Sequence, residues 1–198
     1  MGKIVISTNA TLDGVVQDPD GQEGFQYGGW FKKFVGADLQ EWDKLETEEA
    51  LGAAALLLGG RSYDWFAKRV TSRPGAWTDR VTQLPKYVVS TTVKDPEWNN
   101  STLIAGDVVK QLSELKQKVD GEIIVYGSYQ LVRTLIEQDL ADELRLFVFP
   151  VVLGTGERLF DGISNTTATR LIDTRVVGEG LVFYAYEFVR DTASTTAG

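Results

Sequence analysis

The sequence predicts an α/β fold. A mixed, mostly parallel sheet lies between two layers of helices in a three-layer sandwich, and an antiparallel hairpin ends the chain. Three observations predict it. Short β-branched and apolar runs alternate with stretches of helical periodicity along most of the chain. The helical stretches at 107–119 and 128–138 each join one strand to the next, and such crossovers make neighbouring strands parallel. Two apolar runs, 170–177 and 181–189, flank Gly178-Glu179-Gly180 as a hairpin would.

The elements follow in order. Lys3–Ser7 is a short β-branched strand. Positions 13–30 hold six glycines or prolines, among them Gly14, Pro19 and Gly28, and read as a long bending loop. Asp38–Leu51 carries Leu39, Trp42, Leu45 and Ala50 at helical spacing and stops at Gly52; Asp38 reads as its N-cap, and its acids read mostly as a solvated face. Ala54–Leu58 is apolar throughout, as a strand covered on both faces should be. A short helix near Tyr63–Ala67, a strand at Lys86–Ser90 and a brief strand at Thr102–Ala105 come next. Asp107 reads as the N-cap of a helix whose Val108, Leu112, Leu115 and Val119 share one face. Glu122–Tyr126 and Glu143–Phe149 are further strands on either side of the helix at 128–138. One domain is expected over 1–190, with a frayed tail at 191–198.

Composition excludes whole classes of chemistry. The chain of 198 residues has neither Cys nor His, so thiolate nucleophiles, Cys/His zinc sites and Ser-His machinery are ruled out. Its 20 basic against 28 acidic residues give a net charge of −8, which disfavours nucleic acid or an anionic membrane as partner. No signal peptide or apolar span of membrane length is visible, and a cytoplasmic protein is expected. No spacing of acids argues for a metal.

Three strand ends carry small polar residues at turns into a helix or loop: Leu58-Gly59-Gly60-Arg61-Ser62, Val89-Ser90-Thr91-Thr92 and Tyr126-Gly127-Ser128-Tyr129. Glycine lets a backbone approach a ligand closely, and free amides at a helix start favour phosphate. Taken singly, each turn reads as ordinary punctuation. Three on one sheet edge suggest a nucleotide with more than one phosphate, at the C-terminal ends of parallel strands. Asp13, after the first strand and before Gly14, is a candidate substrate-facing acid or an Asx-type turn. Tyr27 and Trp30 in the glycine-rich loop are candidates to line a ring-shaped substrate, although packing is the commoner fate of such rings. Gly154-Thr155-Gly156 starts like a dinucleotide fingerprint but is not completed by a third glycine.

Together the motifs carry a resemblance. Thr11-Leu12-Asp13-Gly14, LLLGGRSYDWF at 56–66, KYVVSTT at 86–92, AGDVVKQLSELK at 105–116, VYGSYQLVRTLI at 125–136 and LFVFPVVLGTGERLF at 146–160 occur in this order. The set resembles the dihydrofolate-reductase-like family, in its riboflavin-biosynthesis reductase branch, the C-terminal domain of the bifunctional deaminase-reductase. The resemblance covers nearly all of 3–189, without the deaminase domain. It implies NADPH binding and hydride transfer to a small heterocyclic or sugar-bearing substrate, in the manner of a 5-amino-6-(5-phosphoribosylamino)uracil reductase, by a homodimer.

By position, Gly60, Arg61 and Ser62 would hold phosphate. Ser90 and Thr91 would approach the 2′-phosphate or adenosine. Gly127, Ser128, Tyr129, Gln130 and Leu131 would face the pyrophosphate. Asp13 would face the substrate and, to donate a proton, would need a raised pKa. The sequence departs from the family where Tyr129 replaces a frequent glycine and Thr91 replaces a small or basic residue. Two other readings stand beside this one: a nucleotide-binding protein without turnover, and a pterin reductase. The latter wants a buried acid on the first long helix, whose periodicity turns most of its acids outward.

Overall fold

The structure is a computed structural model that describes residues 1–70 and 74–190. The tail expected at 191–198 lies outside the described residues. Eight strands form one sheet in the order β4-β3-β2-β5-β1-β6-β8-β7. They are β1 (Lys3–Thr11), β2 (Ala53–Gly59), β3 (Lys86–Val89), β4 (Ser101–Ile104), β5 (Glu122–Tyr126), β6 (Glu143–Phe149), β7 (Ala168–Val177) and β8 (Leu181–Val189). The first six pair in parallel, and β8 joins β6 and β7 antiparallel. This is the mixed sheet with a terminal hairpin that the sequence predicts.

Strand alternation sorts the core into two faces. Ile4, Ile6, Leu57, Ile123 and Val125 point to the side covered by α5 (Val108–Lys118) and α6 (Tyr129–Glu137). Val5, Leu56, Leu58, Ile124 and Tyr126 point to the other side, covered by α2 (Leu39–Gly52), α3 (Gly60–Val70) and α4 (Ala76–Gln83). A third cluster packs α1 (Trp30–Val35) and Trp42 and Leu45 of α2 onto Phe147, Phe149, Leu181 and Phe183. The Asp107 carboxylate caps α5 as expected, accepting from the Lys110 amide at 3.0 Å.

Several expectations change. β1 runs on to Thr11 because its second half pairs with β6 alone, beyond the end of β5. α4, unforeseen, buries only Val81, so no apolar stripe marks it in the sequence. Asp38 does not cap α2. It is 7% exposed, and its carboxylate accepts from the amides of Glu179, Gly180 and Leu181 at 2.7–3.3 Å. That clamp ties the start of α2 to the β7–β8 turn, where a Cβ on Gly178 would collide with it.

Candidate functional site

The topology places the site. β5 lies between β2 and β1, so the chain leaves the sheet centre in opposite directions on either side of it. Crevices of this kind open at the C-terminal ends of the strands. Here a cleft of about 2010 Å³ does so, larger than a pocket for one small ligand.

All ten residues assigned to a nucleotide line this cleft: Gly60, Arg61, Ser62, Ser90, Thr91, Gly127, Ser128, Tyr129, Gln130 and Leu131. Their local geometry explains how. Gly127 and Ser128 both take left-handed backbone angles, φ 59° and 56°, which turn β5 sharply into α6. Ser128 Oγ donates to the Tyr126 carbonyl at 3.1 Å and accepts from the Gly59 amide at 3.0 Å. The Ser128 amide donates to Ser62 Oγ at 3.0 Å. The starts of α3 and α6 are thereby stitched side by side, with the orphan amides of both first turns at the cleft. Ser90 Oγ accepts from the amides of Thr92 and Val93 at 3.1 and 3.0 Å and so shapes its own loop. A Cβ on Gly60 would lie 2.6 Å from that oxygen, so glycine is required there by packing against the β3 loop. The Leu131 side chain belongs to the core, which leaves its backbone to face the cleft.

Arg61 supplies positive charge at the mouth. Its guanidinium lies 5.1 Å from the centre of the Tyr129 ring, with Arg133 at 5.7 Å from the same ring. Tyr129 is therefore a platform for cations. Burial pushes its phenol up, outweighing the nearby Arg61 charge, so the ring stays neutral. Across the mouth, Asp20 accepts from Trp65 Nε1 at 2.7 Å and pairs with Arg69 at 3.4 Å, latching the glycine-rich loop onto α3.

The substrate-facing residues expected from the sequence do not line the cleft. Trp30 is 1% exposed, stands edge-on to Phe149 at 5.3 Å and donates from Nε1 to the Gln17 carbonyl. It begins α1, which carries it onto β6 and β8. Tyr27 is exposed on the outer surface of the loop, edge-on to Phe25 at 5.8 Å. Asp13 is not poised as an acid. Its oxygens accept from Thr11 Oγ1 at 2.7 Å, the Leu153 amide at 3.2 Å and the Gly154 amide at 2.8 Å. Burial would raise its pKa, but these bonds outweigh it and hold the carboxyl below its usual range. Asp13 is a staple between the turn after β1 and the loop after β6.

The other wall of the cleft includes residues that sequence reasoning missed. Ser7, Trp42, Glu46, Phe66, Trp77 and Tyr126 line it. Glu41, Asp43 and Glu48 of α2 are exposed, as the periodicity predicts, but Glu46 and Glu49 turn inward. Arg145 on β6 explains Glu49: the two pair at 3.1 Å, and Arg145 also holds Glu122 and Glu143 at 2.8 and 2.7 Å.

An open mixed sheet with a large cleft at its switch point, lined by two helix starts and an arginine, defines a dihydrofolate-reductase-like architecture. The chain belongs to the family described as the RibD C-terminal domain, whose model matches residues 2–183. A Bacillus subtilis protein described as uncharacterized protein YyaP is 25% identical over 191 residues, covering 94% of this chain and 95% of its own. Uncharacterized protein YwjB of the same organism is 26% identical, over 90% of this chain and 94% of its own. Solved structures agree on the fold. A putative riboflavin biosynthesis protein of Shewanella sp. PV-4 superposes with a TM-score of 0.73 at 20% identity, covering 95% of this chain and 99% of that one. Dihydrofolate reductase of Enterococcus faecalis, solved with NADP(H), superposes with a TM-score of 0.59 at 14% identity, over 94% and 96% of the two chains. These likenesses show the fold, and the family match places the chain among RibD C-terminal domains. Among the described residues no helix is long and apolar enough to cross a membrane.

Proposed function

We propose that the protein is an NADPH-dependent reductase that delivers a hydride to a small heterocyclic or sugar-bearing substrate, acting in the cytoplasm as a homodimer. One observation carries this reading: three turns far apart in sequence, each suited to phosphate, meet at the switch point of a single sheet. The residues present fit a dinucleotide. The first-turn amides of α3 and α6 suit its pyrophosphate. Arg61, over the Tyr129 ring, suits a further phosphate at the mouth.

Bound there, the reduced nicotinamide would supply the hydride. The chain's part is to position and to shield. The Ser62–Ser128–Gly59 bonds fix the two helix starts against each other before any ligand arrives. The Asp20–Trp65 latch holds the glycine-rich loop over the mouth and limits water there. The aromatic wall of Trp42, Phe66 and Trp77 offers flat surfaces to a ring. Arg61 sets the cofactor preference in this reading. Arg61→Ala is expected to weaken NADPH by roughly tenfold or more, the scale of one charge-assisted contact, with little effect on NADH. Equal NADPH affinity in the variant, read by fluorescence titration, would remove Arg61 from the phosphate site.

A further inference from the structure

Arg61 stands apart from the other arginines. Among the described residues each of the others pairs with a carboxylate or, in the case of Arg80, donates to the backbone carbonyls of Ala50 and Ala53. Arg61 does neither. It is exposed, it lines the cleft, and the contact that holds it is the Tyr129 ring, whose centre lies 5.1 Å from its guanidinium. Glu23 of the glycine-rich loop feels the Arg61 charge without pairing with it.

Tyr129 is itself braced. It is the first residue of α6, and Arg133, one turn on, lies 5.7 Å from the centre of the same ring. Arg133 is outside the lining of the cleft. It donates to the Arg158 carbonyl at 3.1 Å and pairs with Glu157 at 3.7 Å. Glu157 is fixed through its backbone: its amide donates to Gln17 Oε1 at 3.1 Å, and its carbonyl accepts from the Val16 amide at 3.0 Å. The series Glu157, Arg133, Tyr129 π cloud, Arg61 alternates in sign from the loop after β6 to the mouth of the cleft, where it ends on a cation.

Holding that cation in place has a consequence for binding. An exposed arginine samples many rotamers, and a guanidinium already stacked on a ring has less freedom to lose when a phosphate arrives. Arg133 contributes twice. It props the ring from within α6, and it occupies Glu157, a carboxylate that bears on Tyr129 and Glu23 and would otherwise draw Arg61 toward itself.

We propose that Tyr129 and Arg133 are positioning residues that set cofactor preference: stacked together, they hold Arg61 where it meets a phosphate on the adenosine ribose, the group that distinguishes NADPH from NADH. This deepens the reductase reading and rests on it for the identity of the ligand.

Calorimetric titration of the full chain with adenosine 2′,5′-bisphosphate and with adenosine 5′-monophosphate tests this, since the two differ only in the 2′-phosphate. The bisphosphate is expected to bind about tenfold tighter or more, the scale of one charge-assisted contact. Tyr129→Phe keeps the ring and is expected to keep that preference. Tyr129→Leu keeps an apolar side chain against the core and loses the ring. It is expected to cut the preference roughly fivefold, the scale of one cation–π contact, through the bisphosphate alone. Arg133→Met is expected to act in the same direction from outside the cleft, and serves if Tyr129→Leu does not fold. A merely structural Tyr129 would weaken both probes alike. An unchanged preference in either variant, an equal loss for both probes, a loss as large in Tyr129→Phe, or no preference in the parent protein would overturn the proposal. NADPH titration of the same samples separates the two readings. A bisphosphate preference that depends on Tyr129, without NADPH binding, refutes the cofactor reading and leaves the stack standing as a phosphate reader. NADPH binding with a preference indifferent to Tyr129 refutes the stack.

Discussion

Asp13 shows how far a residue's neighbours decide its role. Its place after a strand and before a glycine suggested a substrate-facing acid. Its bonds to Thr11, Leu153 and Gly154 make it an acceptor with no proton to give near neutral pH. Because its pKa is depressed on folding, its contribution to stability is present above its unfolded value of 3.8 and is lost as pH falls through the lower folded value. Asp13→Asn keeps one acceptor and loses the charge and the other. We expect it to destabilise the fold by about 1–3 kcal/mol at pH 7, with the difference shrinking in acid. Denaturant melts at pH 7 and pH 3 check this; an equal loss at both, or none, would contradict the staple. Gly127 carries a related lesson. A side chain there meets Ser62 Oγ at 3.3 Å and is strained by the left-handed backbone, so bulky substitutions perturb folding as well as ligand approach.

At the scale of elements, the β7–β8 hairpin is the least covered part of the sheet. Alternation splits the apolar segments at 146–153 and 181–188 between two surfaces. Phe147, Phe149, Leu181 and Phe183 are buried under α1 and α2, whereas Leu146, Val148, Val182, Tyr184 and Tyr186 are only half-buried on the opposite face. Register extends that face across β7, with Val148, Val182 and Val176 in one row, and Val176 is 76% exposed. A second copy of the chain seated on this face would form the homodimer proposed above. Light scattering is expected to give twice the chain mass, and Val176→Asp to halve it with the melting temperature of the monomer retained. A monomeric parent protein would contradict it.

Elements also show what the sequence made legible. The three phosphate-suited turns were readable because glycine and small hydroxyls at strand ends have few other reasons to recur on one edge. The acid wall was not. It depends on how α2 rolls, which is set by Arg145 drawing Glu49 inward and by Trp42 packing near Phe147 at 6.2 Å. Ser7 and Tyr126 read as ordinary strand residues until β1, β2 and β5 stand in order. Trp30 was misplaced because a two-glycine turn hid the start of α1. α4 was missed because a single buried valine leaves no period to detect.

At the scale of the whole molecule, the two walls of the cleft have different electrostatic characters within a chain of net charge −8. Helix starts and Arg61 face one end; Glu46, Glu49 and Asp43 mark the other. In the proposed reading the first end takes the anionic phosphates of the dinucleotide, and the acids keep them from the other. The first of these walls is the proposed binding site of a nicotinamide dinucleotide. Titrating the purified protein with NADPH and with NADH tests it most directly. The readout is tryptophan quenching with energy transfer to the nicotinamide, since Trp42, Trp65 and Trp77 line the cleft. Saturable binding, tighter for NADPH, is the predicted result; absence of binding to both would contradict the claim and reduce the three turns to punctuation of the fold.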